Sequence, residues 1–219
     1  MIGIYIALIE IAIFGILSYN IKKNTNNFSN LNNILYYWIS FTILTGIWEL
    51  SFICNYSSVN KLSENLLKNN THVWTTNYNI DNILPWRFSQ LFYAEYGAYA
   101  DREYMSKDNW SRVIESSHAI LCGIFSLLCL LYKSNDNSKE YLITISISMG
   151  SQLMNSILYM FNYFYQTTQK YSVNYSTHSF PTGILLVNRP FMYVNLLWTL
   201  CPIYIIIYLI YNNNINDMK

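Results

Sequence analysis

The chain has 219 residues, 53% of them apolar and only 11% charged, with a formal net charge of +1. A soluble domain carries roughly 25% charged residues, so this chain lacks the groups to wet a surface of its own. The balanced charge gives no basic face or tail of the kind that nucleic-acid binding uses.

Taken from the first residue, five stretches are long enough for a helix to cross hydrocarbon, which needs about 17–25 residues. They cover residues 2–19, 35–54, 113–132, 141–165 and 186–211. The first has no basic start and no small-residue cleavage site, so it reads as a retained helix rather than a signal peptide. The fourth is the most polar, with Ser146, Ser148, Ser151, Gln152, Asn155 and Ser156. Such groups are costly against lipid and should face other helices or a cavity. Backbone amides in hydrocarbon need internal partners, so the spans should be helices. The fold expected is all-α: a single polytopic membrane bundle with about five transmembrane helices and a long lumenal loop between the second and third. Asn/Ser/Lys-rich stretches near residues 20–33, 55–82 and 212–219 read as loops or tails.

Orientation follows from the short loops. Lys22 and Lys23 lie in the first connection, Lys133 and Lys139 in the third, and only Lys170 in the last. This predicts a lumenal N-terminus, a cytosolic C-terminus and a lumenal second loop. Sequons at Asn55, Asn69 and Asn174 agree with that orientation, and one at Asn27 does not. The four cysteines, Cys54, Cys122, Cys129 and Cys201, sit in or beside apolar runs without a C-x-x-C pair, which favours packed thiols over a metal site or disulfide.

Ionisable groups inside spans are expensive and usually face a cavity. Four qualify: Glu10, Glu49, Glu115 and His118. Glu10 has no companion nearby in sequence and reads as a carboxyl bonded to a neighbouring helix. Glu49, in Trp48-Glu49-Leu50, lines a pocket or reaches the interface. Glu115 and His118 are three apart, on one helical face, where a paired acid and base would suit proton transfer; the plainer reading is an acid at a helix N-terminus and a packed imidazole. Asn195 and Trp198 are likewise three apart, followed by Pro202. An indole face can hold a cation, or simply pack. No nucleotide-binding, zinc-protease or serine-hydrolase motif is present.

The segment from Phe88 to Gly123, FSQLFYAEYGAYADREYMSKDNWSRVIESSHAILCG, resembles the lumenal loop and third helix of the emopamil-binding protein family. That family shows SQLW-KEY-x-K-G/A-D-x-R-Y, then a D-N/P step and an M/V-E-x-x-T helix start. SQLMNSILYM in the fourth span is similar to its GQ-[IL]-YG-x-x-[LV]-Y, and FMYVNLLWTLCP in the fifth to its FMNALW-x-x-x-P. The likeness covers roughly residues 35–211. It implies a five-helix bundle of the endoplasmic reticulum membrane that isomerises a sterol from delta-8 to delta-7. A proton adds to a ring double bond, a carbocation forms, and a neighbouring proton leaves, with no redox cofactor and no metal. By position, Glu115 matches the third-helix glutamate, Asn195 the fifth-helix asparagine and Trp198 the cation-facing tryptophan.

The chain departs from the pattern in its second helix, where the family has H-x-x-x-E. Glu49 falls at the histidine position with Ile53 at the glutamate, or at the glutamate position with Thr45 at the histidine; the second alignment keeps the acid and is preferred. His118 stands where the family has threonine, as though the imidazole had moved to the third helix. The expected catalytic set is therefore Glu49, Glu115, His118, Asn195 and Trp198. Trp48, Phe52, Tyr104, Gln152, Asn155 and Tyr159 are expected to contact the ligand, while Asp101 and Arg102 shape the lumenal cap. The expected partners are a sterol or cationic amphiphile and membrane lipid, with a homodimer left open. Two other readings stand beside the isomerase: a non-catalytic sterol or amphiphile binder, like the sigma-2 receptor of the wider EXPERA group, and a structural membrane subunit.

Overall fold

The computed structural model describes residues 1–106, 110–178, 180 and 190–217, with side chains left out at 110, 111, 190 and 213–217. Eight α-helices account for most of it: α1 Gly3–Asn24, α2 Asn26–Ser29, α3 Asn33–Cys54, α4 Tyr56–Asn69, α5 Pro85–Tyr99, α6 Ser116–Ser134, α7 Ser138–Gln166 and α8 Pro190–Asp217. Among the described residues there is no strand, only an isolated bridge between Ile2 and Asn77.

Four helical segments are long and apolar enough to cross a membrane: Gly3–Asn24, Asn33–Cys54, Arg112–Ser134 and Phe191–Asn212. The remaining long helix, α7, has 29 residues but carries the serines, Gln152 and Asn155 that lower its apolarity. Its polar groups turn inward only in part: Ser148, Gln152 and Ser156 are buried, with Ser148 Oγ meeting Ser126 Oγ of α6 at 2.9 Å, whereas Ser146 and Ser151 are exposed. The expected start of the fifth span at residues 186–189 lies outside the described residues, and α8 begins at Pro190.

Helix α3 is the axis of the bundle. Asn32 caps it, its Oδ1 accepting from the amides of Ile34 and Leu35. Its tightest neighbour is α6, because two glycines meet at the crossing. A Cβ placed on Gly46 would lie 3.1 Å from Gly123 Cα, and one on Gly123 would lie 3.1 Å from Gly46 Cα. Small residues let membrane helices approach backbone to backbone. α7 packs against α6, and α8 against α7. α1 touches α3 lightly and presents Leu8, Ile11, Ile16 and Leu17 outward.

The segment between α3 and α6 is a folded cap rather than an open loop. Residues 55–82, expected to be loop, contain the whole of α4. Val59, Leu62 and Leu66 recur at helical spacing, and the stripe packs onto α5, where Ser63 Oγ donates to the Ala94 carbonyl at 2.8 Å. Glu95 of α5 accepts from Val73 N at 2.8 Å and pairs with His72 Nδ1 at 2.7 Å. That turn in turn receives α1: Gly3 N donates to the Thr76 carbonyl at 3.0 Å, and the Met1 ammonium to the Tyr78 carbonyl at 2.6 Å. Likewise α8 continues to Asp217, through most of the expected tail.

Candidate functional site: buried acids and tyrosines under the cap

Where the cap meets the ends of α3 and α6, it places tyrosines over carboxyl groups. Tyr93 of α5 donates its hydroxyl to Glu49 Oε1 of α3 at 2.5 Å. Tyr104, in the turn after α5, donates to Glu115 Oε2 at the head of α6 at 3.1 Å. Both acids are under a tenth exposed, so each needs such donors to be tolerated away from water. The spacing of α5 sets this up. Residues Phe92, Tyr93 and Tyr96 fall within one turn and face the bundle, and Phe52 of α3 supports the stack from below, 4.7 Å from Tyr93 and 5.3 Å from Tyr104 between ring centroids.

A second polar chain adjoins the first. Tyr159 of α7 donates to Asp101 Oδ2 at 2.8 Å and shares a 2.6 Å hydrogen bond with the Tyr96 hydroxyl. Asp101 Oδ1 accepts from Asn174 Nδ2 at 2.8 Å and from Glu103 N at 3.0 Å. Asp101 and Glu49 each lie close enough to Glu115 to repel it as an anion. Burial, with these carboxylates nearby, pushes the Tyr93, Tyr96 and Tyr104 hydroxyls well above the usual phenol range. They therefore stay neutral, as O–H groups that both give and accept hydrogen bonds.

Two polar atoms at the α3–α6 contact have no hydrogen-bond partner among the described residues: Glu49 Oε2 and Ser116 Oγ, both buried. The two groups face each other outside hydrogen-bond geometry. Unsatisfied buried polar atoms of this kind are rare and suit a site that receives a polar ligand atom or a water.

No family model, curated protein or solved structure matches this chain. Its chemistry is therefore read from the residues the fold brings together.

Of the sequence candidates, Glu49, Glu115, Tyr104, Phe52 and Tyr159 converge in this region. Asn195 lies at its edge near Tyr96, with its amide donating to Met192 Sδ at 3.8 Å. His118 does not. Its Nε2 lies 3.4 Å from Cys122 Sγ, and the ring is turned toward the Ser151 backbone of α7. The acid–base pair expected from the three-residue spacing is thus divided, with Glu115 reaching up to the cap and His118 across to α7. Trp198 packs on Trp38 and Phe41, at centroid distances of 4.9 and 5.7 Å. Those residues stand two to three turns below Glu49, roughly 12–17 Å along α3 at about 1.5 Å per residue.

Trp48 looks the other way around α3. Its Nε1 donates to Glu10 Oε1 at 3.2 Å, which gives Glu10 the partner on another helix that its sequence position called for. Its ring continues an aromatic row through Phe41 to Trp198 and through Phe92 to Tyr96. Gln152 spends its amide on structure, accepting from Trp38 Nε1 at 2.7 Å and donating to Thr42 at 3.4 Å. Asn155 is half-buried on α7. Asn174, read first as a sequon, is fully buried, its amide shared between Asp101 and Gln166. All four cysteines are free, and among the described residues no three His, Cys, Asp or Glu side chains are grouped to hold a metal.

Sequence reasoning missed Tyr93, Tyr96 and Ser116 and gave Asp101 only a shaping role. The tyrosines' three-residue spacing in α5 was the available signal; Ser116 offered none. Two cavities lie elsewhere. One of about 460 Å3 runs between α1, α3 and α6, beside Phe14, Tyr36 and Leu127. One of about 430 Å3 lies where α3 meets α4.

Proposed function

We propose that the chain is a sterol delta-8 to delta-7 isomerase-like protein of the endoplasmic reticulum membrane. It spans five times, with α7 as the fourth span, the cap and N-terminus lumenal and the C-terminus cytosolic. The observation that carries this reading is the pair of buried carboxyls, Glu49 and Glu115, each held by a cap tyrosine. Shifting a ring double bond needs a proton donor, negative charge beside a transient cation, and shelter from water. Three carboxyls this close cannot all ionise in a buried site. Glu115 in its neutral form gives its proton to the ring double bond, and Glu49 as a carboxylate stabilises the cation. The neighbouring C–H bond then breaks, and its electron pair forms the new double bond. No electron donor or acceptor enters the balance.

Expression in a sterol-isomerase-deficient cell tests this reading. Restored delta-7 sterols support it, and a well-expressed chain that leaves delta-8 sterols unconverted removes it. His118→Ala settles the part of the imidazole, which keeps a role only if activity falls.

A second reading, a sterol or amphiphile binder without turnover, draws on one observation. Trp198 stands well below Glu49 on an aromatic row, with His118 turned to α7. A flat, elongated ligand along α3 could touch both ends without reacting. Binding of a delta-8 sterol with no conversion favours this alternative.

A further inference from the structure

The hydrogen bonds of Tyr96, Tyr159 and Asp101 have a fixed direction. A tyrosine hydroxyl has one proton to donate. Tyr159 commits its proton to Asp101 Oδ2 at 2.8 Å. In the 2.6 Å bond between the two tyrosines, Tyr96 is therefore the donor. The lone pairs of the Tyr96 oxygen remain to accept, and Asn195 of α8 lies beside it. At the other end, Asp101 Oδ1 accepts from Asn174 Nδ2 and Glu103 N while Oδ2 accepts from Tyr159, so both carboxyl oxygens act as acceptors. The chain runs from an acceptor on the bundle side to an anion in the cap. Asp101 is also the charged neighbour that acts most strongly on Glu115.

We propose that Tyr96, Tyr159 and Asp101 form the proton return of the isomerase, with Tyr96 taking the proton shed by the cation and Asp101 receiving its equivalent through Tyr159. The inference rests on the isomerase reading above and assigns the base that reading leaves open. When the C–H bond breaks, its electrons form the new double bond and the proton bonds to the Tyr96 oxygen. The proton already on Tyr96 passes to Tyr159, and that of Tyr159 passes to Asp101. Both phenols end as they began, Asp101 ends as a neutral acid, and Glu115 is one proton short. Passage from Asp101 to the adjacent Glu115 restores both. Tyr96 is then a catalytic residue, while Tyr159 and Asp101 act through it.

The test uses the full chain in lipid vesicles, a delta-8 sterol as substrate and a cationic amphiphile as binding probe. Tyr159→Phe keeps the ring that stacks on Tyr163 and removes the hydroxyl alone. The account expects single-turnover conversion to slow about 100-fold, the scale of general-base catalysis. A sterol deuterated at the carbon that loses hydrogen should then show a larger isotope effect than with the parent. Amphiphile affinity should stay within about twofold, reporting an intact fold; Asp101→Asn should match it, and the double variant should be no slower than either single, as expected for one path. Conversion within about twofold of the parent, an unchanged isotope effect, or losses that multiply in the double variant would overturn the proton return alone. A parent chain that binds the sterol and never converts it would overturn the isomerase reading and the return together.

Discussion

Tyr93 and Tyr104 stack as nearly parallel, offset rings, centroids 5.6 Å apart and planes 9° from parallel, and each gives its hydroxyl to a different buried acid. The cap thus controls two carboxyls on two helices through one aromatic pair. Replacing either tyrosine by phenylalanine keeps the stack and strips one carboxyl of its donor. Hydrogen bonds to charged groups contribute about 1.5–3 kcal/mol and neutral ones about 0.5–1.5 kcal/mol, so in thermal unfolding Tyr93→Phe, at the Glu49 carboxylate, should lose the larger amount and Tyr104→Phe, at neutral Glu115, the smaller. Because the rings touch, the double variant should depart from additivity by at least about 0.5 kcal/mol. Strict additivity would mean that the two acids are held independently.

The α3–α6 crossing predicts a second outcome. Gly46→Ala puts a methyl 3.1 Å from Gly123 Cα, against backbone that has little room to move. Overpacking of this kind costs about 1–3 kcal/mol. The Gly46→Leu chain should fail to give a monodisperse folded species in detergent, whereas Gly15→Leu, where nothing lies within 4 Å, should fold normally.

Much of this bundle can be seen in the sequence, and the failures have physical causes. The apolar runs place α1, α3, α6 and α8, because crossing hydrocarbon demands length and apolarity together, and the more polar fourth run forms the long helix α7. The helix α4 hides in Asn/Ser/Lys-rich chain; its Val59–Leu62–Leu66 stripe is short and gains meaning only when α5 covers it. Spacing puts Glu115 and His118 on one side of α6 but does not choose their neighbours. Side chains lean toward a helix's N-terminus, so Glu115 at the head of α6 reaches the cap while His118, a turn lower, meets α7. The partners of Glu10, Asp101 and Asn174 are long-range, and no local pattern carries them.

Alkaline pH should unfold the cap and bundle together. Tyr93, Tyr96 and Tyr104 have folded-state values well above the phenol value of 10.0 that each regains on unfolding. Their neutral forms favour the native state fully below pH 10, and that stability is lost as pH rises beyond it, because only the unfolded chain ionises there. Tyrosinate absorbance and helical signal should therefore change in one step for these groups. Early ionisation with the helices intact would show that water reaches them.

Cationic amphiphiles should bind, since a protonated amine mimics the proposed cation. Glu49→Gln should weaken such amines about 30-fold, the roughly 2 kcal/mol lost when a buried charge loses its partner, while a neutral isostere of the same ligand should lose less. Trp198→Ala should weaken amine and isostere alike, since its ring packs on Trp38 and Phe41 two to three turns away; a selective loss of the amine in Trp198→Ala would place the cation on the indole instead.

The most direct measurement is conversion of a delta-8 sterol by the purified chain in vesicles, compared with a Glu115→Gln variant of equal thermal stability. The account predicts delta-7 product from the parent and a loss of at least about 100-fold in the variant. Equal conversion by both would contradict it.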